Sequence, residues 1–144
     1  MRHLDVVNQL LGGGRVLGTD VASLPDLITR LRAGLPYEAL VQAAKYFAFS
    51  ADQAAVKLRL PLRTLARRKQ SGRLDVYESE RVVRLAAVYA HALATMGSTT
   101  RGREWILTDN RALGGASPLS LLDTDVGARV VEDLLVRAGY GVYG

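Results

Sequence analysis

Apolar residues recur every three or four positions along most of the chain, which is the spacing of one face of an α-helix. No segment alternates between apolar and polar residues as a half-buried β-strand would. The longest apolar stripe belongs to a helix predicted over residues 78–96, and it comprises Val82, Leu85, Ala86, Val88, Tyr89, Ala92 and Leu93. The pattern predicts an all-α fold, in which this stripe either packs against the C-terminal helices or forms the seam of a dimer.

Capping and helix-breaking residues divide this pattern into separate helices. Helix starts are predicted at Ser23, Pro36, Ser50, Leu60-Pro61, Ser117-Pro118 and Thr124. Helix ends are predicted at Gly34, Gly72 and Gly97, and the last helix is expected to end near Arg137. The best candidate boundary between an N-terminal and a C-terminal part lies at residues 72–75.

The first 20 residues are weakly patterned and contain Gly12-Gly13-Gly14 and Gly18, which predict a flexible start. These glycines do not form a P-loop, because the Gly-Lys-Ser/Thr ending is absent and no strand precedes them.

The bulk composition suits a folded protein that contains no disulfides. The 144 residues are 49% hydrophobic and 23% charged, so a core can be buried and disorder is not expected. Cysteine is absent, which excludes thiol chemistry and fits a reducing compartment. No apolar run approaches the roughly 20 residues that span a bilayer. We therefore expect a cytoplasmic protein without a membrane partner.

The positive charge of the chain is concentrated in residues 57–73. The net charge is +5, yet this segment alone carries +7 and contains no acidic residue, whereas the other residues hold 12 basic and 14 acidic side chains. Such a localised positive field is what phosphate binding requires, although a charged run can also be a solvated helix face.

The basic segment has the outline of a helix-turn-helix, with a short helix after Ser50, a turn at residues 58–60 and a second helix from Pro61. Leu62 and Leu65 are expected to face the core, and Arg63 and Thr64 to point outward. The candidate DNA-binding residues are Arg59, Pro61, Arg63, Thr64, Arg67, Arg68, Lys69 and Arg73. Glycine is common in the turn of this motif, and Leu58-Arg59-Leu60 fits there if its backbone avoids positive φ. For Lys57 and Arg59, surface solubility is an equal alternative to DNA contact.

Constellations typical of catalysis or metal binding are missing from the sequence. The two histidines, His3 and His91, have no second ligand at metal-binding spacing, and no GxSxG, HExxH or paired-carboxylate arrangement occurs. We therefore predict a protein that is not an enzyme and needs no cofactor.

Two longer stretches resemble a known family. The first comprises residues 64–69, 72–74, 78–81 and 84–86, and the second comprises residues 105–107, 110, 112–115, 118–119, 121–124, 127–129, 131–132, 135 and 140–143. Over about residues 35–144 the chain resembles the Xre/MbcA/ParS antitoxin family, and the ending Tyr-Gly-Val-Tyr at 140–143 is the most diagnostic part of the match.

This resemblance implies a two-part antitoxin. An Xre-like helix-turn-helix bundle would bind operator DNA and repress its own operon. A small helical C-terminal domain would form a homodimer and bind a toxin of the RES-domain family, which consumes NAD⁺. By position, the residues that block the toxin would be Arg129, Arg137, Tyr140, Gly141, Val142, Tyr143 and Gly144.

The expected organisation has three segments: the weakly patterned residues 1–22, a DNA-binding helix-turn-helix domain at 23–73, and a toxin-binding and dimerisation domain at 74–144. Two alternatives stay open at this point. Tyr140 and Tyr143 could fold back into the core, and the protein could be a stand-alone regulator whose C-terminal domain dimerises or senses a ligand.

Overall fold

Helices form the regular structure of residues 3–141, the part of the chain that the computed structural model describes. Nine α-helices follow one another in this part, joined by short loops and two single 3₁₀ turns at Arg111–Leu113 and Leu119–Leu121. The helices are α1 His3–Leu11, α2 Gly13–Leu17, α3 Leu24–Ala33, α4 Tyr37–Tyr46, α5 Ala51–Lys57, α6 Leu62–Ser71, α7 Val76–Met96, α8 Thr99–Leu107 and α9 Asp125–Gly139. The prediction of an all-α fold is confirmed, since the described residues contain no β-strand.

Helix α7 is the centre of the fold. It packs against α1, α8 and α9, and more lightly against α3 and α4. Its apolar stripe is buried within the chain, with Val82 and Ala92 fully covered and Tyr89 1% exposed. This stripe therefore packs mainly within the chain, and only Leu93 at its end is half-buried.

The N-terminal segment is helical, so the expectation of a flexible start is wrong. Helix α1 places Val6, Val7, Leu10 and Leu11 in the core, where it packs on α4 and α7. The glycine run makes a tight turn between α1 and α2, because Gly12 adopts a φ of 100° that other residues rarely take. The four core residues recur at helical spacing, a signal that the neighbouring glycines obscured.

The predicted N-caps at Ser23, Ser50 and Thr124 are confirmed. Each side chain accepts a hydrogen bond from the backbone N–H three residues later, at 3.0–3.2 Å. Helix α7 begins two residues earlier than predicted, because Asp75 caps it. Asp75 Oδ1 accepts from the Glu78 N–H at 2.8 Å, and Glu78 Oε1 accepts from the Asp75 N–H at 2.8 Å.

Gly127, in the first turn of α9, allows this helix to lie directly on the preceding 3₁₀ turn. A Cβ atom at this position would lie 1.9 Å from the carbonyl oxygen of Leu121.

Within residues 3–141, no helix has the length and apolar character that crossing a membrane requires.

Candidate nucleic-acid interface and partner-binding surface

Helices α5 and α6 form a helix-turn-helix whose inner side is anchored by leucines. Leu58 and Leu60 in the turn and Leu65 in α6 are 0–5% exposed. The N–H of Leu60 donates to the carbonyl oxygen of Ala55 at 2.7 Å, which closes the turn. The two helices are therefore held at a fixed angle while the outer side of α6 faces solvent.

The turn keeps a left-handed residue although it lacks glycine. Arg59 has a φ of 56°, so the condition set for a turn without glycine is not met, and the turn forms nonetheless. A left-handed residue other than glycine costs about 1–2 kcal/mol. Two contacts hold it: Arg81 Nη1 donates to the Arg59 carbonyl oxygen at 2.8 Å, and Arg59 Nε pairs with Asp123 at 3.1 Å.

The outer face of α6 carries Arg63, Ala66, Arg67 and Gln70, which follow one another at helical spacing and are all exposed. Arg63 and Arg67 were predicted from the sequence, whereas Gln70 and Ala66 were missed. Ala66 lies three residues after Arg63, and Gln70 lies seven residues after it, so helical spacing places both on this face. Gln70 matters because a glutamine amide can bond an adenine edge in the major groove. Thr64 lies at the margin of this face and is half-buried, and Lys69 is exposed on its flank.

Arg68 is directed toward α7. Its Nε donates to Glu78 Oε1 at 2.8 Å, and its Nη2 donates to Asp75 Oδ2 at 3.2 Å. The hydrogen bond to Glu78 is the main cause that raises the pKa of the Arg68 guanidinium, against the opposing effect of desolvation. Arg68 therefore fixes α6 on the start of α7, and its charge is balanced within the chain.

The remaining members of the predicted DNA-binding set lie at the two ends of α6. Pro61 is the exposed N-cap residue, and Arg73 follows the C-cap, where its Nη1 donates to the carbonyl oxygen of Gly34. Leu62 departs from expectation: it is 50% exposed, whereas Leu65 is buried as predicted. The prediction that Leu62 faces the core is wrong, because Leu62 lies about 60° around α6 from Leu65, toward the exposed Ala66.

A second exposed surface lies on α9. Its inner side is buried through Ala128, Val131, Leu134 and Leu135, whereas its outer side presents apolar and charged residues together. Val126 is 70% exposed, and Val130 and Val136 are 44% and 46% exposed. Val130, Asp133, Val136 and Arg137 line a shallow groove. Arg129 lies on the same outer side and pairs with Asp125 at 2.8 Å.

The end of α9 projects Tyr140 into solvent. Its side chain is 83% exposed, and its N–H caps the helix by donating to the carbonyl oxygen of Arg137 at 3.1 Å. The alternative in which Tyr140 plugs the core is therefore wrong. Gly141 follows with a φ of 76°. The other predicted toxin-binding residues, Val142, Tyr143 and Gly144, lie outside the described residues.

The two histidines lie together at the junction of three helices. His91 on α7 contacts Glu132 on α9 through Nδ1 and Oε2, and the ring of His3 on α1 lies 5.7 Å from that of His91 between centroids. Sequence spacing had related neither residue to the other. Among residues 3–141, no group of three or more His, Cys, Asp or Glu side chains is arranged to hold a metal ion.

Comparison with known proteins identifies two adjacent matches that meet within α7. Residues 26–87 match the antitoxin Xre-like helix-turn-helix domain, and residues 91–141 match the antitoxin Xre/MbcA/ParS C-terminal toxin-binding domain. Antitoxin Xre of Photorhabdus laumondii is 28% identical over 130 residues, which cover 89% of this chain and 88% of that protein. Proteins of the same name from Yersinia enterocolitica and Pseudomonas putida are 38% and 34% identical over 86 residues, which cover 58% of this chain and 58% and 54% of those proteins. With a helix-turn-helix domain followed by a toxin-binding domain, the chain belongs to the Xre/MbcA/ParS family of antitoxins of toxin–antitoxin systems.

Proposed function

We propose that this antitoxin neutralises a RES-type, NAD⁺-degrading toxin by placing the end of α9 and the residues after it in the toxin's active-site cleft. The observation that carries the proposal is the exposure of Tyr140, a large aromatic side chain on the last turn of a toxin-binding domain. Tyr140 extends the exposed apolar surface that Val130 and Val136 form on α9, whereas Tyr77 lies at the start of α7, away from that surface.

The outer side of α9 has the composition of an interface core. Arg129, Arg137 and Tyr140 lie on one side of the helix, with Val130 and Val136 between them. Tyrosine and arginine are, with tryptophan, enriched at interface hot spots, and tyrosine buries a large area at low rotamer entropy. We propose that Gly141, Val142, Tyr143 and Gly144 extend this surface into the cleft and exclude NAD⁺.

We further propose that residues 23–73 bind operator DNA and repress the operon, and that residues 74–144 bind the toxin and dimerise. Arg63 and Arg67 would contact base edges in the major groove, with Pro61 and Thr64 close to the DNA at the start of the same helix. Lys69 and Arg73 would contact phosphates, as would Arg59, whose side chain stays 77% exposed in its pair with Asp123. We assign Arg68 to holding α6 in place, since it already bonds Glu78 and Asp75. A homodimer would match two half-sites about one helical turn apart.

Removing residues 140–144 tests the toxin-binding part of the proposal. The truncated chain should fail to stop NAD⁺ consumption by the toxin, because the blocking segment is gone, while it still binds DNA. The matched control is Tyr77→Ala, which removes another tyrosine that is 71% exposed, on α7, and should neutralise normally. Full protection by the truncated chain would refute the proposed mode of inhibition.

The double variant Arg63→Ala/Arg67→Ala tests the DNA-binding part. Because both arginines are assigned to base edges, their removal should weaken operator binding by about 1–3 kcal/mol each and relax its sequence preference. The control Arg101→Ala/Arg111→Ala removes the same charge from exposed positions on α8 and the following 3₁₀ turn. If both double variants lose the same affinity, only net charge matters and α6 is not the recognition helix. We also propose that the antitoxin acts in the cytoplasm and works by binding alone, without catalysing a reaction.

A further inference from the structure

Leu62 is an exposed leucine at the first position of the recognition helix. It is 50% exposed, and Ala66, four residues later and thus on the same side of α6, is also exposed. Together they form an apolar strip, here named the Leu62–Ala66 strip, which runs beside Arg63 and Arg67. The outer side of α6 is therefore divided lengthwise into an apolar part and a cationic part.

The charge around this strip indicates what covers it. Of the seven basic side chains in residues 57–73, Arg59 and Arg68 pair with acidic residues elsewhere in the chain. Arg63, Arg67 and Lys69 are exposed on α6 itself, so the surface around Leu62 is suited to a polyanion. In a helix-turn-helix, the N-terminal residues of the second helix reach the base edges, which is where Leu62 lies. The major groove presents one apolar group along those edges, the C5-methyl group of thymine, and aliphatic side chains contact it.

We propose that Leu62, supported by Ala66, reads the C5-methyl group of a thymine next to the base that Arg63 contacts. The inference rests on the proposed binding of operator DNA and adds a specificity to it. A leucine placed against a cytosine or a phosphate would displace water from polar groups of the DNA and would gain no apolar contact in return. Each half-site therefore contains at least one thymine whose methyl group contributes to affinity.

Exchanging thymine for deoxyuridine tests the inference, since it removes the methyl group and leaves base pairing intact. Binding sites are first selected from random duplex DNA with the full chain, and each thymine of the selected site is then replaced in turn. At one position in each half-site the wild-type protein should bind about three to five times more weakly, which is the effect expected for one buried methyl group. The Leu62→Ala variant should bind the thymine and deoxyuridine duplexes equally.

The control is Leu24→Ala. Leu24 is likewise the first residue of a helix, α3, and is 69% exposed, but it lies outside the basic segment. This variant should keep the wild-type loss at the deoxyuridine position. Thermal melting of each variant checks that the fold is intact, and both leucines are exposed enough for the substitutions to be tolerated.

The outcomes separate the inference from the function on which it rests. If selection enriches no sequence, the proposed operator binding itself fails. If a site is enriched but no deoxyuridine duplex binds more weakly, operator binding stands and thymine reading by Leu62 is overturned. It is also overturned if Leu62→Ala retains the full methyl preference, since another residue then makes the contact.

Discussion

Replacing Gly127 with alanine should destabilise the toxin-binding domain, because α9 begins in direct contact with the preceding 3₁₀ turn. The added Cβ would lie 1.9 Å from the Leu121 carbonyl oxygen, 2.9 Å from its carbon and 3.0 Å from Thr124 Oγ1. Two of these three atoms belong to the backbone. Relief of the clash therefore requires the start of α9 to move away from Leu121, which strains the cap that Thr124 makes with the Gly127 N–H.

The size of the effect follows from the distance. Ordinary contacts of a Cβ lie at 3.4–4 Å, so α9 must shift by about 1 Å or more before the repulsion is removed. Overpacking of this kind costs typically 1–3 kcal/mol, and the rigid backbone obstacle places Gly127→Ala at about 3 kcal/mol. For a chain of this size that corresponds to a melting temperature lower by about 6–12 °C.

Gly139→Ala is the matched control on the same helix. A Cβ at Gly139 has no neighbour within 4 Å, so alanine should raise stability by about 0.5 kcal/mol through its better helix propensity. Thermal and urea unfolding of both variants measure the two effects, which have opposite signs. An unchanged melting temperature for Gly127→Ala would refute the close packing of α9 on Leu121.

Three further predictions concern other parts of the fold. Ala48 has a φ of 59° and an exposed side chain, so Ala48→Gly should raise the free energy of unfolding by about 0.5 kcal/mol, which urea unfolding measures. The Arg30 guanidinium is the main cause that holds the pKa of the Asp26 carboxyl below its usual value. The Arg30–Asp26 interaction therefore stabilises the fold above the usual aspartate pKa, and this stabilisation is lost as pH falls through the lowered pKa. Asp26→Asn should reduce the fall of the melting temperature at acid pH, which thermal unfolding at a series of pH values measures. Arg68→Ala should lower both the melting temperature and DNA affinity, since the contact with Glu78 that positions α6 is lost, whereas a variant with normal melting and normal DNA binding would remove Arg68 from that role.

Much of the fold could be predicted from short-range features of the sequence. The caps at Ser23, Ser50 and Thr124 and the break at Pro61 are short-range features, so a single sequence contains all the information that they require. The apolar stripe of α7 likewise predicted a buried face, because its period depends only on neighbouring turns of one helix. The helical spacing of α6 also gave Arg63 correctly as an outward residue, whereas Thr64, which was predicted to point outward as well, is half-buried.

Interactions between residues that are far apart in the chain could not be predicted from the sequence. The pairs Arg59–Asp123 and His91–Glu132 join residues that are far apart in the chain, so no local period reveals them. The role of Arg68 was missed for the same reason, since a charge count treats every arginine of the basic segment alike. Leu62 was misplaced because the first turn of a helix has no preceding turn from which to judge its phase.

The measurement that tests the central claim most directly is NAD⁺ consumption by the protein encoded beside this antitoxin, titrated with the antitoxin. The neighbouring protein alone should consume NAD⁺, and consumption should stop once the antitoxin reaches a fixed molar ratio. The chain that lacks residues 140–144 should leave consumption unchanged at the same ratio. Continued consumption in the presence of excess full-length antitoxin, with the two proteins shown to be folded, would contradict the account.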